Sequence, residues 1–133
     1  MSKLSLERSS PALVAEVLGL DLMPALHGDE ELAAATVGVL YGALIDHQVL
    51  FFCNQPLTKE QHVRLGQLFG GLAPRHHSYN TLSECRDVAV LDWQPGGRPD
   101  AFEWQSDMTF REKPPFASLL KAVIVPPVGG DTL

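Results

Sequence analysis

Cysteine is scarce in this chain. Two residues, Cys53 and Cys85, cannot build a disulfide framework or a zinc cluster, and both are read as reduced thiols. Positive charge is also short: 10 Lys and Arg face 16 Asp and Glu, a formal net charge of −6 with a pI near 5.2. That balance excludes the basic footprint of a nucleic-acid binder. No apolar run reaches the roughly 18 residues that a bilayer span requires. The start, Met1-Ser2-Lys3-Leu4-Ser5-Leu6-Glu7-Arg8, has no basic-then-apolar signal region. A cytoplasmic protein with no nucleic-acid and no membrane partner is expected. Gly129-Gly130-Asp131-Thr132 lacks the strand–GxxxxGK–helix context of a phosphate loop. What remains, 45% hydrophobic and 20% charged over 133 residues, suits one soluble globular domain spanning residues 1–133.

Taken in order, Leu4 to Leu6 and Ala12 to Leu18 read as short strands broken by Ser9-Ser10-Pro11. Gly19-Leu20-Asp21-Leu22 is a turn leading into Pro24. Asp29 is a good N-cap, with Glu30 and Glu31 in the first turn. Leu32, Ala35, Val39, Leu40, Ala43 and Leu44 recur at three- and four-residue steps. That spacing predicts an amphipathic helix over 30–46. Val49 to Cys53 reads as a buried strand. Thr58 caps a second helix, Gln61 completes a capping box, and Gly70-Gly71 stops it. Residues 73–86 are polar and irregular. Val88 to Leu91 reads as a short buried strand, Asp92 to Pro99 as a loop, and Ala117 to Val125 as a further strand.

The candidate chemistry lies in two places. In Gln105-Ser106-Asp107, residues two apart on a strand share one face. Such a pair can grip one metal ion. A non-haem Fe(II) oxygenase holds its metal with two His and one carboxylate and leaves other positions open. Asp107 can be the carboxylate, whereas the amide oxygen of Gln105 is a weak neutral donor. On spacing alone, Asp107 can equally cap a turn, with Gln105 a solvated strand residue. The second place is Arg75, His76, His77 and Tyr79. Adjacent residues of an extended segment face opposite ways, so at most one of the two His would face a given pocket. The cluster can bind an anionic group or be an exposed polar loop. His27, His47 and His62 are read as solvated or helix-end residues without a role. Phe102, Trp104 and Phe110 are read as core rather than ligand-stacking residues.

Asp46-His47-Gln48-Val49-Leu50-Phe51-Phe52, Leu68-Phe69-Gly70-Gly71-Leu72 and Trp104-Gln105-Ser106-Asp107-Met108-Thr109-Phe110 carry a resemblance. It continues through Pro114-Pro115 to Gly129-Gly130-Asp131-Thr132-Leu133. Together these segments resemble the N-terminal half of the taurine dioxygenase (TauD/TfdA) family of Fe(II)- and 2-oxoglutarate-dependent dioxygenases. The resemblance implies an α+β fold, a partial double-stranded β-helix (a jelly roll, clavaminate synthase-like) with two outer helices. It implies Fe(II) and 2-oxoglutarate as cofactors. It also implies oxidative attack on a small anionic organic substrate, such as taurine or another sulfonate or sulfate ester. In the family motif W-H-x-D-x-T-F, His and Asp bind iron. Asp107 matches the Asp, and Gln105 stands in the His position. Thr132 matches the Thr that contacts the 2-oxoglutarate carboxylate. His76 and Tyr79 fall where taurine-type members touch the sulfonate.

The family's second iron-binding His and its 2-oxoglutarate-pairing Arg lie beyond Leu133, so a truncated domain is expected. One intact ligand out of three does not hold Fe(II) against water. The chain alone is therefore expected to be inactive. The strands would expose unpaired edges, and Val88 to Leu91 and Ala117 to Val125 would be aggregation-prone unless a partner, a dimer or a rearrangement covers them. The alternative is a non-catalytic remnant that oligomerises or binds an anion near His76 and Tyr79.

Overall fold

The computed structural model describes residues 4–74, 79–92, 106 and 108–128. The chain divides into two units, Met1–Ala89 and Val90–Leu133, which are taken separately.

The first unit is a small mixed sheet with helices packed on it. Its elements are β1 (Ser5–Arg8), β2 (Ala15–Leu18), α1 (Met23–Leu26), α2 (Glu30–His47), β3 (Leu50–Phe51) and α3 (Lys59–Leu68). The sheet order is β1-β2-β3. β1 runs antiparallel to β2, with Leu6 opposite Val17 and Glu7 opposite Glu16. β2 runs parallel to β3, with Ala15 opposite Leu50 and Glu16 opposite Phe51. A parallel neighbour needs a crossover rather than a tight turn, and α1 and α2 supply it.

β2 lies at the centre, paired with β1 on one edge and β3 on the other, and its side chains alternate cleanly. Ala15 and Val17 are buried, while Glu16 and Leu18 are half-buried. It begins at Ala15, three residues later than the apolar run suggests. Val14 adopts φ 71°, in the left-handed region that a β-branched residue rarely enters. The loop before it is closed by Ser9 N–H donating to the Val14 carbonyl at 3.0 Å. Leu13 N–H also donates to the Ser10 hydroxyl at 3.1 Å.

The end of α2 fixes where both β2 and β3 start. The His47 carbonyl accepts from Val14 N–H at 2.8 Å and from Val49 N–H at 2.7 Å. Ala15 N–H donates to the Val49 carbonyl at 3.0 Å. Gln48 leaves the helix at φ 63°. Its backbone N–H donates to the Leu44 carbonyl at 2.8 Å, and its side-chain amide donates to the Ile45 carbonyl at 2.9 Å. His47 is buried, so it is a helix-end residue, as expected, but not a solvated one.

At its other end α2 is capped by Asp29, whose carboxylate accepts from Leu32 N–H at 2.9 Å. Glu30 and Glu31 follow in the first turn, where acidic side chains favour the helix dipole. The buried side of the helix differs from the expected one. Ala33, Leu40, Ala43 and His47 are buried, whereas Leu32, Ala35 and Val39 are exposed. From Leu32 to Ile45 the helix carries no charged residue. Apolar residues lie on every side, so three- and four-residue spacing could not choose the inward one. At about 100° per residue, Val39 and Tyr41 flank Leu40 on opposite sides. Val39 is 50% exposed, Tyr41 48% and Ile45 51%. Two exposed apolar rows, Leu32 with Val39 and Tyr41 with Ile45, thus border the buried one.

The core of this unit is Val17, Leu22, Leu40, Leu57 and Leu65, with Leu4, Leu50, Phe52, Leu68 and Phe69 among the half-buried residues packed against it. α1, which the sequence presents only as a turn, brings in Leu22 and Ala25. Its approach is held by Gln55, 33 residues downstream of Leu22. The Gln55 side-chain oxygen accepts from Leu22 N–H at 3.2 Å, and its amide donates to the Leu20 carbonyl at 2.9 Å. β3 is shorter and more open than expected. Only Leu50 and Phe51 pair, and Phe51 is exposed, because β2 covers one edge of β3 and no strand among the described residues covers the other.

α3 starts on the predicted capping box. The Thr58 hydroxyl accepts from Gln61 N–H at 3.2 Å, and the Gln61 side chain accepts from Thr58 N–H at 2.7 Å. It ends at Phe69, and Gly70 turns away at φ 138°, a region open to glycine. Beyond it, Leu82 N–H donates to the Val88 carbonyl and Val88 N–H to the Cys85 carbonyl, both at 3.1 Å. An ion pair joins Lys59, in the first turn of α3, to Glu84. Val88 to Leu91 is not the buried strand expected. A single antiparallel bridge joins Thr81 to Ala89, and Leu91 is exposed.

In the second unit, residues 108–110 form a turn, with Met108 at φ 54° and Arg111 N–H donating to the Met108 carbonyl at 3.0 Å. Ala117 to Val125 contains no strand. Val123 and Ile124 are 85% and 89% exposed. Apolar, β-branched composition supplies propensity, but a strand also needs a neighbour to pair with. Phe110, expected in the core, is exposed as well.

Two contacts yield measurable expectations. Thr58→Ala should destabilise the chain by about 1 kcal/mol in urea unfolding. Glu60 sits in the same first turn. Its own backbone N–H and the Thr58 hydroxyl hold its carboxyl below the usual range. A depressed carboxyl contributes stability that is present above its unfolded pKa and lost as pH falls through the folded value. The Thr58→Ala deficit should therefore shrink in acid. Gln55→Leu strands a half-buried N–H and a carbonyl, a loss of about 1–3 kcal/mol. Hydrogen exchange at Leu22 should accelerate in that variant, and an unchanged Leu22 rate would contradict the clamp.

Candidate functional site

Among the residues to which the sequence gives a role, Tyr79 is described. It lies in the first unit, in the segment leading to the Thr81–Ala89 bridge, with its ring partly exposed. His76, Gln105, Asp107 and Thr132 lie outside the described residues, as do Arg75, His77, Phe102 and Trp104. The segment around the metal motif is seen at Ser106, which is exposed, and at the 108–110 turn. The reversal at Met108 follows Asp107 directly, so the backbone changes direction one residue after the candidate carboxylate. Thr109 and Phe110 are both exposed in that turn.

The first unit has a separate notch of about 300 Å³. It is lined by Glu16 to Asp21, from β2 into the turn that follows it, and by Cys53, Asn54 and Gln55. Its chemistry differs from that of the sequence-predicted site. The Glu16 side chain beside Cys53 pushes the thiol pKa up, first by hydrogen bonding to the protonated form and then by its negative charge. A thiol held in its protonated form is a poor nucleophile and a poor metal ligand. Asp21 is already accepting from Met23 N–H at 2.9 Å, and the Gln55 amide is occupied by its clamp. The charged groups of the notch are carboxylates, unsuited to an anionic substrate.

Among the described residues, no group of three His, Cys, Asp or Glu side chains could hold a metal ion. His27 is exposed and His62 half-buried on α3. Both cysteines are free thiols, as expected. No helix among the described residues is long and apolar enough to cross a membrane. Sequence reasoning missed the burial of His47 and the role of Gln55. Neither has a local signal: His47 ends a helix in a polar-looking Asp-His-Gln stretch, and the bonds of Gln55 to Leu20 and Leu22 are long-range.

Comparison with known proteins supplies what this geometry leaves open. Residues 10–133 match the family model described as taurine catabolism dioxygenase TauD, TfdA family. An alkylsulfatase of Acinetobacter baylyi is 33% identical over 98% of this chain and 38% of its own length. An alpha-ketoglutarate-dependent sulfate ester dioxygenase of Pseudomonas putida is 34% identical over 90% of this chain and 37% of its own. An alpha-ketoglutarate-dependent 2,4-dichlorophenoxyacetate dioxygenase of Cupriavidus pinatubonensis is 31% identical over 92% and 46%. A solved structure from Burkholderia xenovorans, assigned as an alpha-ketoglutarate-dependent taurine dioxygenase, superposes with a TM-score of 0.54 and 26% identity. It covers 68% of this chain and 32% of that one. The chain spans less than half the length of each of these relatives. With the motif frame around Asp107 and a family match that leaves out only the first nine residues, the chain belongs to the TauD/TfdA dioxygenase family.

Proposed function

We propose that this chain is the N-terminal part of an Fe(II)/2-oxoglutarate-dependent dioxygenase of jelly-roll architecture. The intact protein hydroxylates a small anionic organic substrate, a sulfonate or a sulfate ester, and this chain does not turn over unaided. The observation that carries the family reading is the match over residues 10–133. The preference for sulfate- or sulfonate-type substrates leans on the two relatives above 32% identity, whose names specify an alkylsulfatase and a sulfate ester dioxygenase. On this reading Asp107 is the iron carboxylate and Gln105 occupies the position of the ligand His. Thr132 hydrogen-bonds the 2-oxoglutarate carboxylate, and His76 and Tyr79 contact the anionic head of the substrate.

The donor set decides the second half of the proposal. Fe(II) sites of this kind use two imidazoles and one carboxylate. Asp107 with the amide oxygen of Gln105 provides one anionic donor and one weak neutral one, which does not fit. Affinity for a divalent ion rises steeply with each preorganised ligand, so no catalytic step is assigned to this chain's own residues.

A second reading is favoured by one observation. The exposed apolar rows of α2 are what a non-catalytic chain would use to self-associate.

Incubation with Fe(II), O2 and 2-oxoglutarate should produce succinate at the level of a no-protein control. Turnover above that level would end the claim of inactivity. Gln105→His should leave succinate at background, since one added imidazole still gives only two of three ligands; rescue by that single change would mean that the third ligand comes from within residues 1–133. For the second reading, light scattering should show an oligomer that the double variant Val39→Asp, Ile45→Asp converts to monomer. A wild-type monomer, or an oligomer indifferent to both changes, would count against it.

A further inference from the structure

We draw no further inference here: the strongest candidate, the two exposed apolar rows that flank the buried row of α2 (Leu32 with Val39, Tyr41 with Ile45), carries nothing beyond the association already weighed, because nothing in the structure shows what covers it.

Discussion

The first unit depends on one carbonyl. The oxygen of His47 receives both Val14 N–H and Val49 N–H, so the last turn of α2 sets the starting points of β2 and β3 together. Backbone acceptors at a helix C-terminus have no partner inside the helix. Here the deficit is satisfied by strand backbone rather than by water. The consequence is a fixed register. With Val14 and Val49 tied to the same atom, Ala15 and Leu50 come opposite one another. Ala15 and Val17 then point inward, where Leu22, Leu40, Leu57 and Leu65 meet Val17. A one-residue slip would turn Glu16 inward instead. The positive φ of Val14 and Gln48 is the conformational cost of that junction, on the order of 1–3 kcal/mol for each such residue.

Much of the fold was legible where the signal is local. Asp29 with Glu30 and Glu31, and Thr58 with Gln61, mark helix starts because a side chain and a backbone N–H three residues apart settle the matter between them. Gly70 marks a stop for a similarly local reason. The misses share a different origin. α2 has no charge between Leu32 and Ile45, so its inward side is chosen by what it packs on. Val88 to Leu91 and Ala117 to Val125 have the composition of strands, but pairing is a property of two segments, and a sequence window contains only one. Val14 was read into a strand because it lies in the apolar run from Ala12 to Leu18, and its β-branch is what makes its observed φ costly.

The candidate site divides along the same line. Motif spacing around Gln105, Asp107 and Thr132 was legible, because fixed offsets along one chain survive as a pattern, and these residues fall inside the 10–133 span that matches the family. Donor chemistry was also legible, since a Gln amide and a His imidazole differ in kind whatever surrounds them. Spatial convergence was not legible. Tyr79 sits in the first unit and the Asp107 segment in the second, and their roles toward one substrate remain part of the proposal.

The proposed reading joins two independent deficits. One is chemical, a lone carboxylate where three ligands are needed. The other is structural, a helix whose apolar surface exceeds what its own unit covers. A helix apolar on all sides ordinarily lies within a larger body. Leu40 and Ala43 find partners in this unit, while Val39 and Ile45 stay half exposed. A single helix laid against α2 would follow one stripe. It could cover the Val39 row or the Ile45 row; these two residues, six positions apart, lie about 120° from each other around the axis, wider than one stripe. Whatever buries both must be broader than one helix. The α2 rows belong to the first unit and the Asp107 segment to the second, so the cover that one lacks and the donors that the other lacks are separate needs, and meeting one does not meet the other.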